Sequence, residues 1–242
     1  MNILIAASRG GGIAKKIHDY EVQDEVHPGE KLEFLTGRAV ARIPPPHLHK
    51  ETTHVYILAG LTGITTKHKA HTSQGRYREV TYDEDPSVTI PRVCNEIDKC
   101  AKAISDAGAT PCFCTITYCY LNKYNQHLLK EQQTHALHHQ ERYDDMQHNL
   151  TTAIDEINNH IDNTNHSFNM STPFCHTAIR KKRGTKPRQY YKYDHNMLKD
   201  GVHREYITRV KWAMAIQGAM KNNRGDNENK SPKRSWRRET RH

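Results

Sequence analysis

Long apolar runs are missing from this chain of 242 residues: the longest, ILIAA at 3–7 and VYILAGL at 55–61, fall far short of the roughly 20 residues that cross a bilayer as a helix. A membrane-spanning helix is therefore not expected. The opening MNILIAAS lacks the basic start, long apolar stretch and small-residue cleavage site of a secretory signal, which sets an intracellular expectation, cytoplasmic or nuclear. Paired metal-ligand spacings are also absent, with no C-x-x-C and no H-E-x-x-H, so neither a metal nor another cofactor is expected. CFC at 112–114 would place two thiols on one strand face, and HLHKETTH offers His47, His49 and His54. Strand cysteines within an apolar run read most simply as small core residues. In a reducing compartment all six cysteines read as free thiols.

The positive charge is concentrated. Of the formal +9, the segment RKKRGTKPR at 180–188 holds six basic and no acidic residues, and the stretch from Lys221 to His242 holds eight basic against three acidic; the other 211 residues carry about −2. This distribution argues for a near-neutral body bearing one basic loop and one basic tail, not for a domain whose whole surface wraps a polyanion. The two segments read as nuclear-import signals, as phosphate-contacting arms for a nucleic-acid partner, or as a solvated loop and a solubilising tail. Trp236, set among arginines, adds a ring that could stack on a base.

Strand-type and helix-type patterns alternate along the body. NILIAAS at 2–8 reads as a strand, RGGG as a turn, and IAKKIHDY as an amphipathic helix. KLEFLTG at 31–37 reads as extended, and the polar stretch after it must end at Pro44-Pro45-Pro46. THVYILAG at 53–60 has the near-continuous apolar character of a central strand. Residues 92–107 space Val93, Ile97, Cys100, Ala101 and Ile104 as a helix that Gly108 closes, and CFCTITYCY at 112–120 follows as a strand. One or two amphipathic helices are expected between Gln126 and Asn165, with HALHH at 135–139 on a solvated face. A last helix is expected from about Arg204 to Met220, burying Ile207, Val210, Ala213 and Met214. Such alternation predicts a parallel sheet between helices, as one domain over 1–220 with a basic, disordered tail at 221–242.

The glycine turn after the first strand admits two chemistries. It is similar to the opening of short-chain dehydrogenases, but Lys15 stands where the third glycine of G-x-G-x-x-G belongs. Ala6 replaces another glycine of that opening, and none of the 12 tyrosines has a lysine four residues on. A P-loop is absent too. The other chemistry starts from Ser8. A serine at the carboxyl end of a parallel strand sits on the edge where open α/β sheets carry their sites, although it also suits a helix cap. As a nucleophile it needs a histidine base oriented by a carboxylate, and DGVH at 200–203 supplies Asp200 and His203 within one turn.

These blocks resemble, in order, the four signature blocks of the SGNH (GDSL-type) hydrolases: AAS with Ser8, LTGRAV with Gly37, ILAGLTGI with Gly60 and Thr62, and DGVH with Asp200 and His203. The resemblance spans about residues 2–220. It implies a three-layer α/β/α sandwich with a mainly parallel, flavodoxin-like sheet, and a small acyl-ester or acetyl-ester substrate. Ser8 would be the nucleophile, His203 the base and Asp200 its orienting carboxylate. The oxyanion would be held by the N–H groups of Ser8 and Gly37 with help from Thr62. Ala6-Ala7-Ser8 stands where the family has Gly-Asp-Ser, and Thr62 stands where it has asparagine. Losing one oxyanion donor costs about 10²–10³ in turnover. The same resemblance implies an alternative, a weakly active or inactive SGNH-like module of mobile-element origin that binds nucleic acid or a protein through residues 180–188 and 221–242.

Overall fold

All six residues of NILIAA are buried, as a strand must be when helices cover both faces of its sheet. The computed structural model describes residues 1–7, 12–45, 52–59, 61–72, 75–82, 84–131, 140–183, 190–200, 202 and 206–224. Through them the chain runs β1 (Asn2–Ala7), β2 (Val22–His27), α1 (Leu32–Arg42), β3 (His54–Leu58), α2 (Leu61–Ile64), β4 (Thr66–Thr72), β5 (Gly75–Thr81), α3 (Pro86–Asp106) and β6 (Thr110–Phe113). It continues through α4 (Leu121–Glu131), α5 (Gln140–Ser167), β7 (Arg180–Arg183), β8 (Tyr190–Tyr193) and α6 (Tyr206–Asn223). The main sheet has the order β2-β1-β3-β6 with every pairing parallel, and two antiparallel hairpins, β4–β5 and β7–β8, stand outside it.

Alternate residues of the central strands divide the core. Ile3 and Ile5 of β1 and Val55 and Ile57 of β3 pack against α1, α3 and α5. Leu4, Ala6, Tyr56 and Leu58 pack on the opposite side against α6, with Trp212 fully buried there. This is the three-layer α/β/α sandwich expected from the sequence. Among the described residues no helix is long and apolar enough to cross a membrane.

Side-chain amides complete the sheet beyond β6. The Phe113 N–H donates to Asn165 Oδ1 at 2.8 Å, and Asn165 Nδ2 donates back to the Phe113 carbonyl at 2.8 Å. Asn158 makes the same pair of bonds with Ile116, at 2.6 and 2.9 Å. Gln147 accepts from the Leu121 N–H and donates to the Cys119 carbonyl, both at 2.9 Å. Helix α5 thus offers the edge the donors and acceptors that a further strand would have offered. Asn125 on α4 ties down Val80 of β5 in the same two-point way.

Several local expectations are corrected. KLEFLTG is not extended: Leu32, Leu35 and Ala39 form the buried stripe of α1, while Phe34 is 57% exposed. IAKKIHDY makes only a single 3₁₀ turn at Ala14–Lys16. Helix α3 begins at Pro86, capped by Asp85, and carries Pro91 inside its second turn, where the sequence suggested a start after that proline. Strand β6 stops at Phe113: the Cys114 N–H still donates to the Ile57 carbonyl at 2.8 Å, but the Thr115 N–H turns to the Pro173 carbonyl and the Ile116 N–H to Asn158 of α5. Helix α6 buries Thr208, Trp212, Ala213, Ile216, Ala219 and Met220; Ile207 and Met214, expected inside, are exposed. The helix is apolar on both sides, so periodicity alone could not select its inner stripe. It also runs to Asn223, past the expected domain limit, and residues 225–242 lie outside the described set. The hairpins and the polar edge strand β2 carried no recognised pattern.

Replacing Asn158 with alanine strips both partners from a buried N–H and a buried C=O, each worth about 1–3 kcal/mol when left unsatisfied. Urea denaturation should show Asn158→Ala destabilised by about 2–4 kcal/mol, with Asn159→Ala, one position along on the exposed side, within about 0.5 kcal/mol of wild type.

Candidate functional site

Ala7 and Leu58 end their strands at the carboxyl edge of the sheet, and with Ile116, Thr117 and Cys119 they wall a cavity of about 290 Å³. Val80 of β5 and Leu121 and Tyr124 of α4 line it as well, and Val202 reaches it from the segment before α6. Most of these side chains are apolar, with Lys67 the charged residue among them. The cavity shares Gly29, Thr62, Thr65 and Lys67 with a wider polar groove that Lys31, Glu84, Arg92 and Glu96 border. An apolar recess opening to a charged groove suits a ligand with one apolar and one polar end.

Of the expected triad, Asp200 lies within the described residues, and Ser8 and His203 lie outside them, as does Gly60. Their chain neighbours are informative: Ala7 precedes Ser8 and Val202 precedes His203, and both line this one cavity. The Asp200 side chain is 7% exposed, and its Oδ1 accepts from the Val202 N–H at 3.0 Å, closing a turn directly before position 203. His127 Nε2 of α4 stands 3.8 Å from Asp200 Oδ2. No sequence pattern had singled out His127.

Gly37 is placed differently from the expectation. It sits in the middle of α1, exposed, where its N–H belongs to the helix ladder. The glycine that lines the cavity from the end of β2 is Gly29, at φ +78°. Pro28-Gly29, a turn dipeptide after VQDEVH, was the signal available. Thr62 also lines the cavity, but its hydroxyl donates to the Glu30 carbonyl at 2.9 Å and so braces the turn that holds Gly29. The base of that turn is further braced by Arg42 and His27 on Glu25 and by Arg38 on Glu30.

Among the described residues no three His, Cys, Asp or Glu side chains converge as a metal-ligand set; His47 and His49, like residues 135–139, lie outside them. Cys112 and Cys114 are core residues on the α6 side, and burial raises both thiols far above the ordinary range. On that side too, burial, aided by Arg180, pushes His176 down to about 4. Its Nδ1 lies 2.9 Å from Thr115 Oγ1.

No protein-family model matches the chain, and no curated protein matches its sequence. Solved structures do match its fold. A candidate acylhydrolase from Bacteroides fragilis superposes with a TM-score of 0.56 over 92% of this chain and 86% of its own, at 12% identity. A GDSL-like lipase from Bacteroides thetaiotaomicron gives 0.52 over 93% and 87%, at 10% identity. An acetyl xylan esterase gives 0.51 over 90% and 99%, at 13% identity. The chain therefore shares the fold of these structures, the three-layer α/β/α sandwich that the resemblance implied.

Two measurements follow from this geometry. Gly29→Ala forces a side chain into a left-handed conformation and should cost about 1–2 kcal/mol. Gly37→Ala, with nothing within 4 Å of the added Cβ, should instead stabilise by about 0.5–1 kcal/mol; opposite shifts in thermal midpoint check the pair. His176 gives a pH signature. Its folded pKa is depressed, so the unfolded chain takes up a proton first, and stability falls as pH drops from the ordinary 6.5 towards about 4. The loss reaches at most about 3 kcal/mol. Urea midpoints at neutral and mildly acidic pH should differ less in His176→Gln than in wild type.

Proposed function

Starting from a GDSL-type fold with an apolar cavity at the carboxyl edge of its sheet, we propose that the chain is a serine-dependent ester hydrolase acting on a small acyl or acetyl ester. The observation that carries this reading is the meeting of Ala7 and Val202 at one cavity, with a buried carboxylate two residues before Val202. Ser8 Oγ attacks the ester carbonyl while His203 accepts its proton, and Asp200 holds the imidazole and stabilises the cation that forms. The alkoxide leaves with the proton that His203 returns. Water activated by the same histidine then cleaves the acyl-enzyme. The N–H groups of Ser8 and Gly29 receive the oxyanion, Gly29 taking the role the sequence assigned to Gly37.

The solved neighbours include an acetyl xylan esterase and a GDSL-like lipase, and an ester substrate for this chain is consistent with both. Six free thiols, most of them buried, suit a reducing compartment, which keeps an intracellular setting, cytoplasmic or nuclear, as part of the reading. One observation favours a second reading, in which the module is catalytically weak or inactive. The Thr62 hydroxyl is already spent on Glu30, so a third oxyanion donor is lacking at that position.

A fluorophosphonate probe and p-nitrophenyl acetate and butyrate test both readings. Wild type should be labelled and should turn over both esters. Ser8→Ala should lose labelling, and Asp200→Asn should lose about 10³–10⁴ in kcat. An unlabelled wild type favours the inactive module, and labelling that survives Ser8→Ala overturns Ser8 as the nucleophile.

A further inference from the structure

Among the described residues that line the cavity, Lys67 is the charged one, and no carboxylate lines it beside Lys67. Its place is built by the β4–β5 hairpin. Lys67 pairs with Val80, and partners in an antiparallel ladder share a face, so both side chains stand on the cavity side. The Val80 N–H and C=O turn outward to Asn125 of α4, each bond being 2.8 Å. Lys67 and Val80 therefore exchange no ladder hydrogen bonds, the pairing in which opposed side chains lie closest. The hairpin is thus fastened to α4 at the rung that carries Lys67. The next rung, His68 with Glu79, faces the other way, and Glu79 accepts there from the Tyr143 hydroxyl at 2.8 Å.

Lys67 stands with Gly29, Thr62 and Thr65 on the seam between the apolar cavity and the polar groove. Both threonine hydroxyls donate to backbone carbonyls, Thr62 to Glu30 at 2.9 Å and Thr65 to Leu61 at 3.0 Å, so neither has a proton left for a ligand. Arg92, also on the groove, is already held by Glu84 at 2.8 Å and Glu96 at 3.6 Å. Glu33 borders the groove but not the cavity. Among the described residues no carboxylate pairs with Lys67. Its ammonium is thus the charged donor that a ligand meets at the seam.

That donor selects the polar end of the ligand. An ammonium end would meet Lys67 with like charge, and a neutral end would leave its charge uncompensated beside an apolar wall. An oxyanion meets it with a charge-assisted hydrogen bond. One ammonium balances one unit of charge, which suits a carboxylate better than a phosphate monoester of nearly two. The wall formed by Val80, Ile116, Cys119 and Leu121 offers the other end of the ligand a small apolar recess. We propose, building on the hydrolase reading, that the substrates are esters of short apolar acids with alcohols that carry a carboxylate. The acyl group enters the recess, the ester carbonyl faces Gly29 on the seam, and the carboxylate of the alcohol is bound by Lys67.

The test compares 4-acetoxybenzoate, whose alcohol part carries a carboxylate, with its neutral carboxamide, 4-acetoxybenzamide, as substrates of the full chain. The matching amides, 4-acetamidobenzoate and 4-acetamidobenzamide, serve for calorimetric binding without turnover. The readout is the anionic-to-neutral ratio in wild type against the same ratio in a variant, so the intrinsic reactivities of the two esters cancel. In Lys67→Met the ratio of kcat/KM and the ratio of affinities should each fall about fivefold, while Lys67→Arg keeps both. Raising salt from about 50 to about 500 mM should shrink the wild-type preference and leave that of Lys67→Met unmoved. Ratios that Lys67→Met does not change, or a wild-type preference indifferent to salt, overturn the proposal. The two readings fail differently. Turnover of both esters with an unmoved ratio keeps the hydrolase and removes the carboxylate site. Selective binding of 4-acetamidobenzoate with no turnover of either ester keeps the site and removes the hydrolase, and absence of both binding and turnover overturns both. Every variant must match wild type in far-UV circular dichroism, and the salt dependence of wild type decides the matter if Lys67→Met misfolds.

Discussion

A parallel sheet must end somewhere, and here its β6 end is closed by carboxamides. Strand β6 pairs with β3 on one side; on the other, Asn165, Asn158 and Gln147 from a single helix satisfy the peptide groups of Phe113, Ile116, Cys119 and Leu121. These residues lie on one stripe of α5 because 7- and 11-residue spacings return close to the same angle on a helix of 3.6 residues per turn. An open strand edge in this position would leave buried donors and acceptors bare, or would recruit another chain. The amides avoid both outcomes and let the backbone after Phe113 depart from strand geometry without losing its hydrogen bonds.

The cavity depends on that departure. Ile116, Thr117 and Cys119 form one of its walls, and α5 holds them in register although no ladder does. Another part of the wall is the turn after β2, where Gly29 occupies a conformation open to few other residues, and where the Thr62 hydroxyl and the Glu25 and Glu30 ion pairs restrain it. Each of those exposed pairs contributes little by itself. Together with Thr62 they fasten the turn to α1 and α2. The cavity is thus bounded by two irregular segments, each held by side-chain bonds, at the end of a rigid sheet, a common arrangement for binding sites on α/β scaffolds.

The layers were legible from sequence because β1, β3 and the apolar positions of α3 repeat with periods that only one kind of element satisfies. The order of the blocks then pointed to the right fold. What was not legible had physical reasons. KLEFLTG reads as extended, and only the packing of Leu35 and Ala39 reveals the helix. Helix α6 offered two apolar stripes, and the sheet selected the one containing Trp212. Gly37 attracted attention through its neighbours in the string, yet a glycine's place depends on its φ and on what it borders, and it is Gly29 that lines the cavity. Asp200 stood out in the sequence because a carboxylate three residues before a histidine is a local pattern. The asparagine clamps were missed because their partners lie 42 and 52 residues away.

Tyr118 gives the last of these features a wider meaning. It stands between Thr117 and Cys119, which face the cavity, and its own ring turns the other way to meet Tyr193 and, through its hydroxyl, Asp155. Four consecutive residues are therefore a party wall, lining a recess on one side and seating the β7–β8 hairpin on the other. Whatever occupies either room presses on the same short length of peptide, and α5, gripping it at Ile116 and Cys119, sets how far it can yield.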